Sequence, residues 1–528
     1  MPELESRRIV ETTSSTRFAL ALVLGLAACE RQPTQPPEPT PKPEPAMTCE
    51  GVERLASTWS ATREQALADA LADQPGEWPR RMISTLDRRV HAGGAAWAAS
   101  YRSACADHDL ARQRCLDRQA DALDGLITLT TRAPELAARL AMWAEIQLVG
   151  VEACETSPSP YPGPLAPELG AELAATSLLF SLNELPRAVE GVNQLAEMHA
   201  IVDDPIYVYT LDTMSAVLEL AYGNRESASV RFSRLALLAD QVGARERSSF
   251  ELLGAMLEAN LGNIPGAVAA FERALAAERE LGDPIRIAFA LQNLGAMQRV
   301  EPDIPAAIAS WTEAIALFTR ELGSESAHVA ETQLSLSELR ALEGRTEAAQ
   351  DLLLQARDGF SASLGSDHPA THDVVLRLGR LLLAAGRPSD AYHAFLDLLE
   401  ISVDQYGERD VRVGDAKLEL AEALRAMGEH EGARLTFLEA LPILVEGHGA
   451  DHRSIVQLSA HLGQSLVELG KVSNDHALLD EAETHCTRAR SLALPLNEAD
   501  PLRLDADQCI QDLAAARKRA GKRKPKPG

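Results

Sequence analysis

The chain has 528 residues and a formal net charge of −26, from 51 Lys+Arg against 77 Asp+Glu, which excludes a protein that coats nucleic acid. Hydrophobic residues reach 46%, enough for a large core, but aromatics are only 4%, which disfavours β-sandwiches and barrels. The length allows three or four domains at about 150 residues each, and the Ala- and Leu-rich text predicts an all-α fold.

Residues 18–28 read FALALVLGLAA, eleven apolar residues behind Arg7, Arg8 and Arg17. A bilayer span takes about 20 residues, so this run is too short to cross a membrane and has the length of a signal-peptide core. It ends in Leu26-Ala27-Ala28-Cys29, which resembles a bacterial lipobox. The resemblance implies a lipoprotein signal peptide over 1–29, acylation of Cys29, and a lipid-anchored place in the bacterial cell envelope. Residues 30–47 follow with seven prolines. They are expected to form an extended spacer of about 3 Å per residue.

The seven cysteines agree with export. If Cys29 carries lipid, six remain, an even number suited to disulfides in an oxidising compartment. Cys486 is expected to bond Cys509, and nearer the N-terminus Cys105 is expected with Cys115 and Cys49 with Cys154. No C-x-x-C occurs, which argues against a zinc knuckle.

Residues 48–157 read as a separate helical domain holding Trp59, Trp78, Trp97 and Trp143, four of the five tryptophans, as core anchors. A proline-rich break at 158–169 ends it. Cys49 and Trp59, then Trp97 and Cys105, Cys115-Leu116-Asp117-Arg118, and Val151-Glu152-Ala153-Cys154 resemble the region between the membrane anchor and the repeats of myxobacterial serine/threonine kinases. The loop between Cys105 and Cys115 is shorter than in that family. The kinase machinery is missing altogether: no Gly-rich loop, V-A-I-K, H-R-D or D-F-G occurs.

From about 170 the sequence repeats. Gly344, Gly386, Gly428 and Gly470 are spaced by 42, as are Gly323, Gly365, Gly407 and Gly449. The first series marks the turn inside a helix hairpin and the second the turn between hairpins. Ala349, Ala391 and Ala433 follow the first series at +5, and Leu353, Phe395 and Phe437 at +9. The alanine sits where two helices touch, and the bulky residue plugs the gap to the next pair. Small residues seven before the turn, Gly379 and Gly463, let the first helix approach its neighbour. These are tetratricopeptide-type repeats, and Leu364-Gly365-Ser366-Asp367-His368-Pro369 resembles the variety found in kinesin light chains. The fold predicted is a superhelical solenoid over 170–498 with seven hairpins from about 205 and an eighth at 170–203. In the last unit an insertion after Gly470 precedes a second helix at 478. A capping helix over 499–516, pinned by Cys486–Cys509, closes the array, and a basic disordered tail follows at 517–528.

His368 with His372 and His448 with His452 stand four apart, a zinc-capable spacing, but H-E-x-x-H is absent, and capping of repeat turns is the expected role. No nucleophile motif appears. The reading is therefore a non-enzyme without metal or cofactor, without a small-molecule substrate or nucleic acid, whose surface binds a protein or peptide. By position in the repeat, the concave groove is expected to be lined by Phe289, Gln292, Arg299, Glu331, Glu338, Asp373, Arg380, Asp415, Glu422, Arg425, Gln457 and Gln464. Leucines among surplus carboxylates would favour a basic or amphipathic segment. The competing expectations are an envelope-assembly accessory lipoprotein, a sensor or adaptor module related to kinase ectodomains, and a cytoplasmic scaffold should the lipobox be fortuitous.

Overall fold

The computed structural model describes residues 49–522, except 149–150, 152–153, 155–166, 183, 200–204, 243–247, 249–250, 253, 256–257, 260–261 and 474. The signal peptide with Cys29, the spacer, the side chain of Cys49, most of the proline-rich break and the end of the basic tail lie outside the described residues. Among those described, all regular structure is helical. Two compact units divide the chain: one takes residues up to 343 with 358–368, the other 344–357 with 369–528.

After short helical turns over 49–58 the first unit has α1 (Ala61–Ala70), α2 (Trp78–Ala106) and α3 (Leu110–Arg132), followed by further short helical turns over 134–146. Ser60 and Asp109 cap α1 and α3 by accepting the amides of Arg63 and Arg112. Trp97 is fully buried between α2 and α3 and donates its indole N–H to the Leu116 carbonyl at 2.9 Å. Cys115 bonds Cys154, so the expected Cys105–Cys115 and Cys49–Cys154 pairs are corrected. Cys105 is disulfide-bonded to a cysteine outside the described side chains. The reason is register: Cys105 lies in the last turn of α2, whereas Cys115 lies beyond the first turn of the antiparallel α3. At 1.5 Å per residue that difference in position amounts to about one helical turn along the axis.

Hairpins then succeed one another. They are α4 (Pro167–Ser181) with α5 (Leu185–His199), α6 (Pro205–Ala221) with α7 (Arg225–Val242), and a partly described helix with α8 (Ile264–Leu281). Next come α9 (Pro284–Val300) with α10 (Ile304–Leu322) and α11 (Ala327–Leu342) with α12 (Thr346–Ser363), the helix that the two units share. The second unit continues with α13 (Pro369–Ala384) and α14 (Pro388–Tyr406), α15 (Val411–Ala426) and α16 (His430–His448), α17 (Arg453–Ser473) and α18 (His476–Ala493), and then α19 (Pro501–Lys522). Within each unit these are tetratricopeptide-type hairpins that pack on one another in chain order.

The repeat positions act as their chemistry requires. Gly344, Gly386 and Gly428 hold φ of 72°, 72° and 82°, the left-handed region in which a side chain is strained. Ala349, Ala391 and Ala433 are fully buried, and so are Phe395 and Phe437. In the second unit Phe437, Leu444, Leu458, Leu462, Leu479 and Leu513 share one core. Gly379 is packed directly under the Phe395 ring, and a Cβ there would overlap it. Gly379→Ala is accordingly expected to destabilise by about 1–3 kcal/mol, read by urea unfolding. An unchanged midpoint would show that the ring can move aside.

Two boundaries differ from the sequence expectation. Gly470 does not end a helix: α17 runs through it to Ser473, and α18 begins at His476, where Asp475 accepts the Ala477 amide. The extra residues thus lengthen the first helix instead of looping out. At the other end, the expected disordered tail is helical to Lys522, and Arg517 pairs with Asp480 and Glu483 on α18 at 2.7 and 2.8 Å. Basic residues at a helix C-terminus are favourable with its dipole, and none of them breaks the helix.

Candidate protein-interaction surface

In the first unit the predicted groove wall is occupied by the chain itself. Phe289 is 2% exposed and does not line an open groove. Trp143, from the turns after α3, stacks on it with ring centroids 5.9 Å apart, and His328 and Phe318 meet it edge-on. His328 is enclosed in these rings, and burial drives its pKa down to about 4, so it is a neutral part of the core. Beside it, buried Glu145 accepts the Ser326 hydroxyl at 2.6 Å and the Ala327 amide at 2.9 Å. Burial raises the Glu145 carboxyl, against the pull of these donors and of Arg89. Glu145 thereby caps α11 from a segment 181 residues away.

A reciprocal cap lies one repeat on. Asp367 accepts the amides of Glu77 and Trp78 at the start of α2, the latter at 3.2 Å. The His368 Nε2 donates to the Ala138 carbonyl at 2.8 Å, and the ring meets Trp78 perpendicularly at 5.6 Å. His368, expected to cap its own turn, instead fastens the N-terminal segment to the repeats. The other predicted residues of this wall serve the array: Gln292 donates to Thr332 at 3.1 Å, and Arg299 pairs with Glu338 at 2.9 Å. Glu331 is partly buried on α11.

In the second unit the predicted residues lie on α13, α15 and α17, but most of their charge is already matched. Arg380 donates to Glu419 at 2.9 Å, from α13 to α15. Glu422 on α15 bonds His461 on α17 and pairs with Arg425 at 3.0 Å, while Gln457 donates to it at 3.4 Å. His461 also reaches Asp505 of α19 at 3.4 Å, and Gln464 donates to the Asp505 carbonyl. Burial alone would discharge this cluster. It depresses the His461 pKa, but Glu422 and Asp505 more than offset it and lift the ring to about 9. Burial likewise raises the Glu422 carboxyl, but His461 and Arg425 bring it below the usual carboxylate range. Glu419 is raised, because its burial outweighs the help of Arg380.

Sequence reasoning missed Glu419, His461 and Asp505. The signal was present as opposite charges spaced by 39, in Arg299/Glu338, Arg380/Glu419 and Glu422/His461. Each links a first helix to the next, three residues short of the repeat period. What the second unit leaves to solvent is Arg380, whose side chain is 57% exposed, with Asp373 at 47% and Asp415 at 45%. Asp373 pairs with Arg377 at 2.9 Å and Asp415 with His448 at 3.1 Å. The expected excess of groove carboxylates is therefore largely internalised, and the open face carries both signs.

No family model and no curated protein matches the chain. It is similar to solved structures of helical repeat proteins. One is a putative kinesin light chain from Podosopora anserina with nearly identical TPR-like repeats, at 20% identity over 38% of this chain and 96% of that one, TM-score 0.35. Others are apo RapI, at 11% identity over 67% and 99% of the two chains, TM-score 0.48, and MamA, at 20% identity over 38% and 92%, TM-score 0.29.

Proposed function

We propose that the chain is a non-catalytic scaffold, exported and lipid-anchored through Cys29, that binds a protein or peptide segment along the first helices of the second unit, α13, α15 and α17. The observation that carries the reading is the contrast between faces: Trp143 and Glu145 cover the corresponding wall in the first unit, whereas Asp373, Arg380 and Asp415 stay half-exposed in the second. Leu376, partly buried on α13 between Asp373 and Arg380, adds an apolar contact to both signs of charge, so the face suits an amphipathic segment. Export is supported by the disulfides Cys115–Cys154 and Cys486–Cys509, which belong to an oxidising compartment.

Two experiments test this. Crosslinking in envelope fractions, with Asp373→Lys plus Leu376→Glu as the comparison, should lose the partner captured by the unaltered chain. Neither residue belongs to the ion pairs that join helices, so the fold should persist. Cys29→Ser should change processing and release the protein from membranes. Unchanged capture removes the binding face, and unchanged fractionation removes the anchor.

A further inference from the structure

The loops that precede α11, α13, α15 and α17 share one backbone, with the glycine carbonyl accepting the amide three residues on. Gly365 and Gly449 both have positive φ, 118° and 92°, and their carbonyls accept the amides of His368 and His452 at 3.2 and 3.3 Å. The side chains that follow differ from loop to loop: Glu325-Ser326 after Gly323, Arg409-Asp410 after Gly407, but Asp-His after both Gly365 and Gly449. Asp451 and His452 stand 84 residues, two periods, after Asp367 and His368. In the first unit that Asp-His pair is engaged: its carboxylate caps α2 and its imidazole holds Ala138 and Trp78. In the second unit Asp451 and His452 are exposed.

From this internal duplicate we infer that the loop Gly449–His452 is an open docking site for the uncapped N-terminus of a helix from a partner protein, with tryptophan as its first helical residue and arginine three residues later. Three features define the occupant. An unshielded carboxylate at Asp451 matches the free N–H groups and positive dipole end of a helix start. The His452 Nδ1 is engaged by Ser454, whose hydroxyl it meets at 2.9 Å and whose amide it meets at 3.3 Å, which leaves Nε2, the atom through which His368 holds a carbonyl, to face a partner. In the occupied copy Arg81, three after Trp78, donates to the Ala362 carbonyl at 3.4 Å. The counterpart of Ala362 in the open copy is Glu446, an exposed carboxylate that adds charge where the arginine would lie. The open loop departs from the engaged one where Leu364 gives way to His448, whose ring stacks on His452 at 4.3 Å.

The test uses the full chain and a labelled synthetic peptide with the sequence of residues 74–92, QPGEWPRRMISTLDRRVHA, which contains the docked helix start. Saturable binding is expected, weakened about tenfold or more by Asp451→Lys, by Asp451→Asn with His452→Ala, and by replacing the peptide's tryptophan with alanine. Asp451 is an exposed loop residue, so circular dichroism should show Asp451→Lys folded. Binding that survives both loop variants, or that is lost in Asp367→Asn but kept in Asp451→Lys, overturns the proposal, as does absence of binding. The inner-face variant Asp373→Lys with Leu376→Glu should leave peptide binding intact, so this site and the proposed function can fail separately.

Discussion

Arg286→Ala is expected to lower the stability of the first unit by about 3–5 kcal/mol, the penalty for breaking a buried ion pair by removing one member. Arg286 stands in the first turn of α9 and donates to Glu278 near the end of α8, with Nε at 2.7 Å. The two side chains are 2% and 1% exposed, so water cannot replace the missing partner. Ser248 also donates to Glu278, but a neutral hydroxyl cannot offset a whole charge. Replacing both members together, Glu278→Leu with Arg286→Leu, should recover most of the loss, because an apolar pair of similar volume needs no desolvation of charge. Urea unfolding followed by tryptophan fluorescence checks both variants. A loss below about 1 kcal/mol in the single variant would mean that the pair behaves as a surface bridge.

The contrast between this pair and the repeat positions shows what the sequence made legible. Gly386, Ala391 and Phe395 recur because each answers to a local demand: a positive φ, a close approach, a gap to fill. Such demands return at every period and announce themselves. The links between helices recur too, but at 39 instead of 42, so counting positions at the repeat period placed Glu338 and Glu422 in a groove when they are committed to Arg299 and His461. Glu338→Lys or Glu422→Lys would therefore disturb the array before it reported on a partner. Gly470 kept its register yet lost its turn, since residues after it could extend α17 at no steric cost. The seating of Trp143 on Phe289 and of Glu145 on α11 had no periodic signal at all. It is a contact between a non-repeating segment and two repeats, separated in sequence by up to 182 residues. The same holds for the cysteines: helix register, not spacing, decided that Cys115 meets Cys154.

His461→Ala is expected to cost about 3 kcal/mol in the second unit at pH 6, toward the low end for a broken buried pair because Arg425 still faces Glu422. The dependence on pH separates this from a packing loss. His461 has an ordinary pKa of 6.5 and is held at about 9 in the folded chain. A raised pKa contributes stability that is complete below pH 6.5 and disappears as pH rises through 9. Glu422 works in the opposite sense: its lowered pKa contributes above the ordinary carboxylate value of 4.5 and is lost as pH falls further. The gap between the unaltered chain and His461→Ala should thus be widest between about pH 5 and 6.5 and should narrow steadily toward pH 9 and beyond. A gap that stays constant from pH 6 to 9.5 would assign the loss to packing alone. The helix released should be α19, whose remaining holds include Arg453–Asp500 at 3.0 Å and the Cys486–Cys509 bond. That bond keeps α19 attached even when its polar clasp is gone. Limited proteolysis of His461→Ala should therefore cut between α18 and α19 but free the terminal fragment only after reduction.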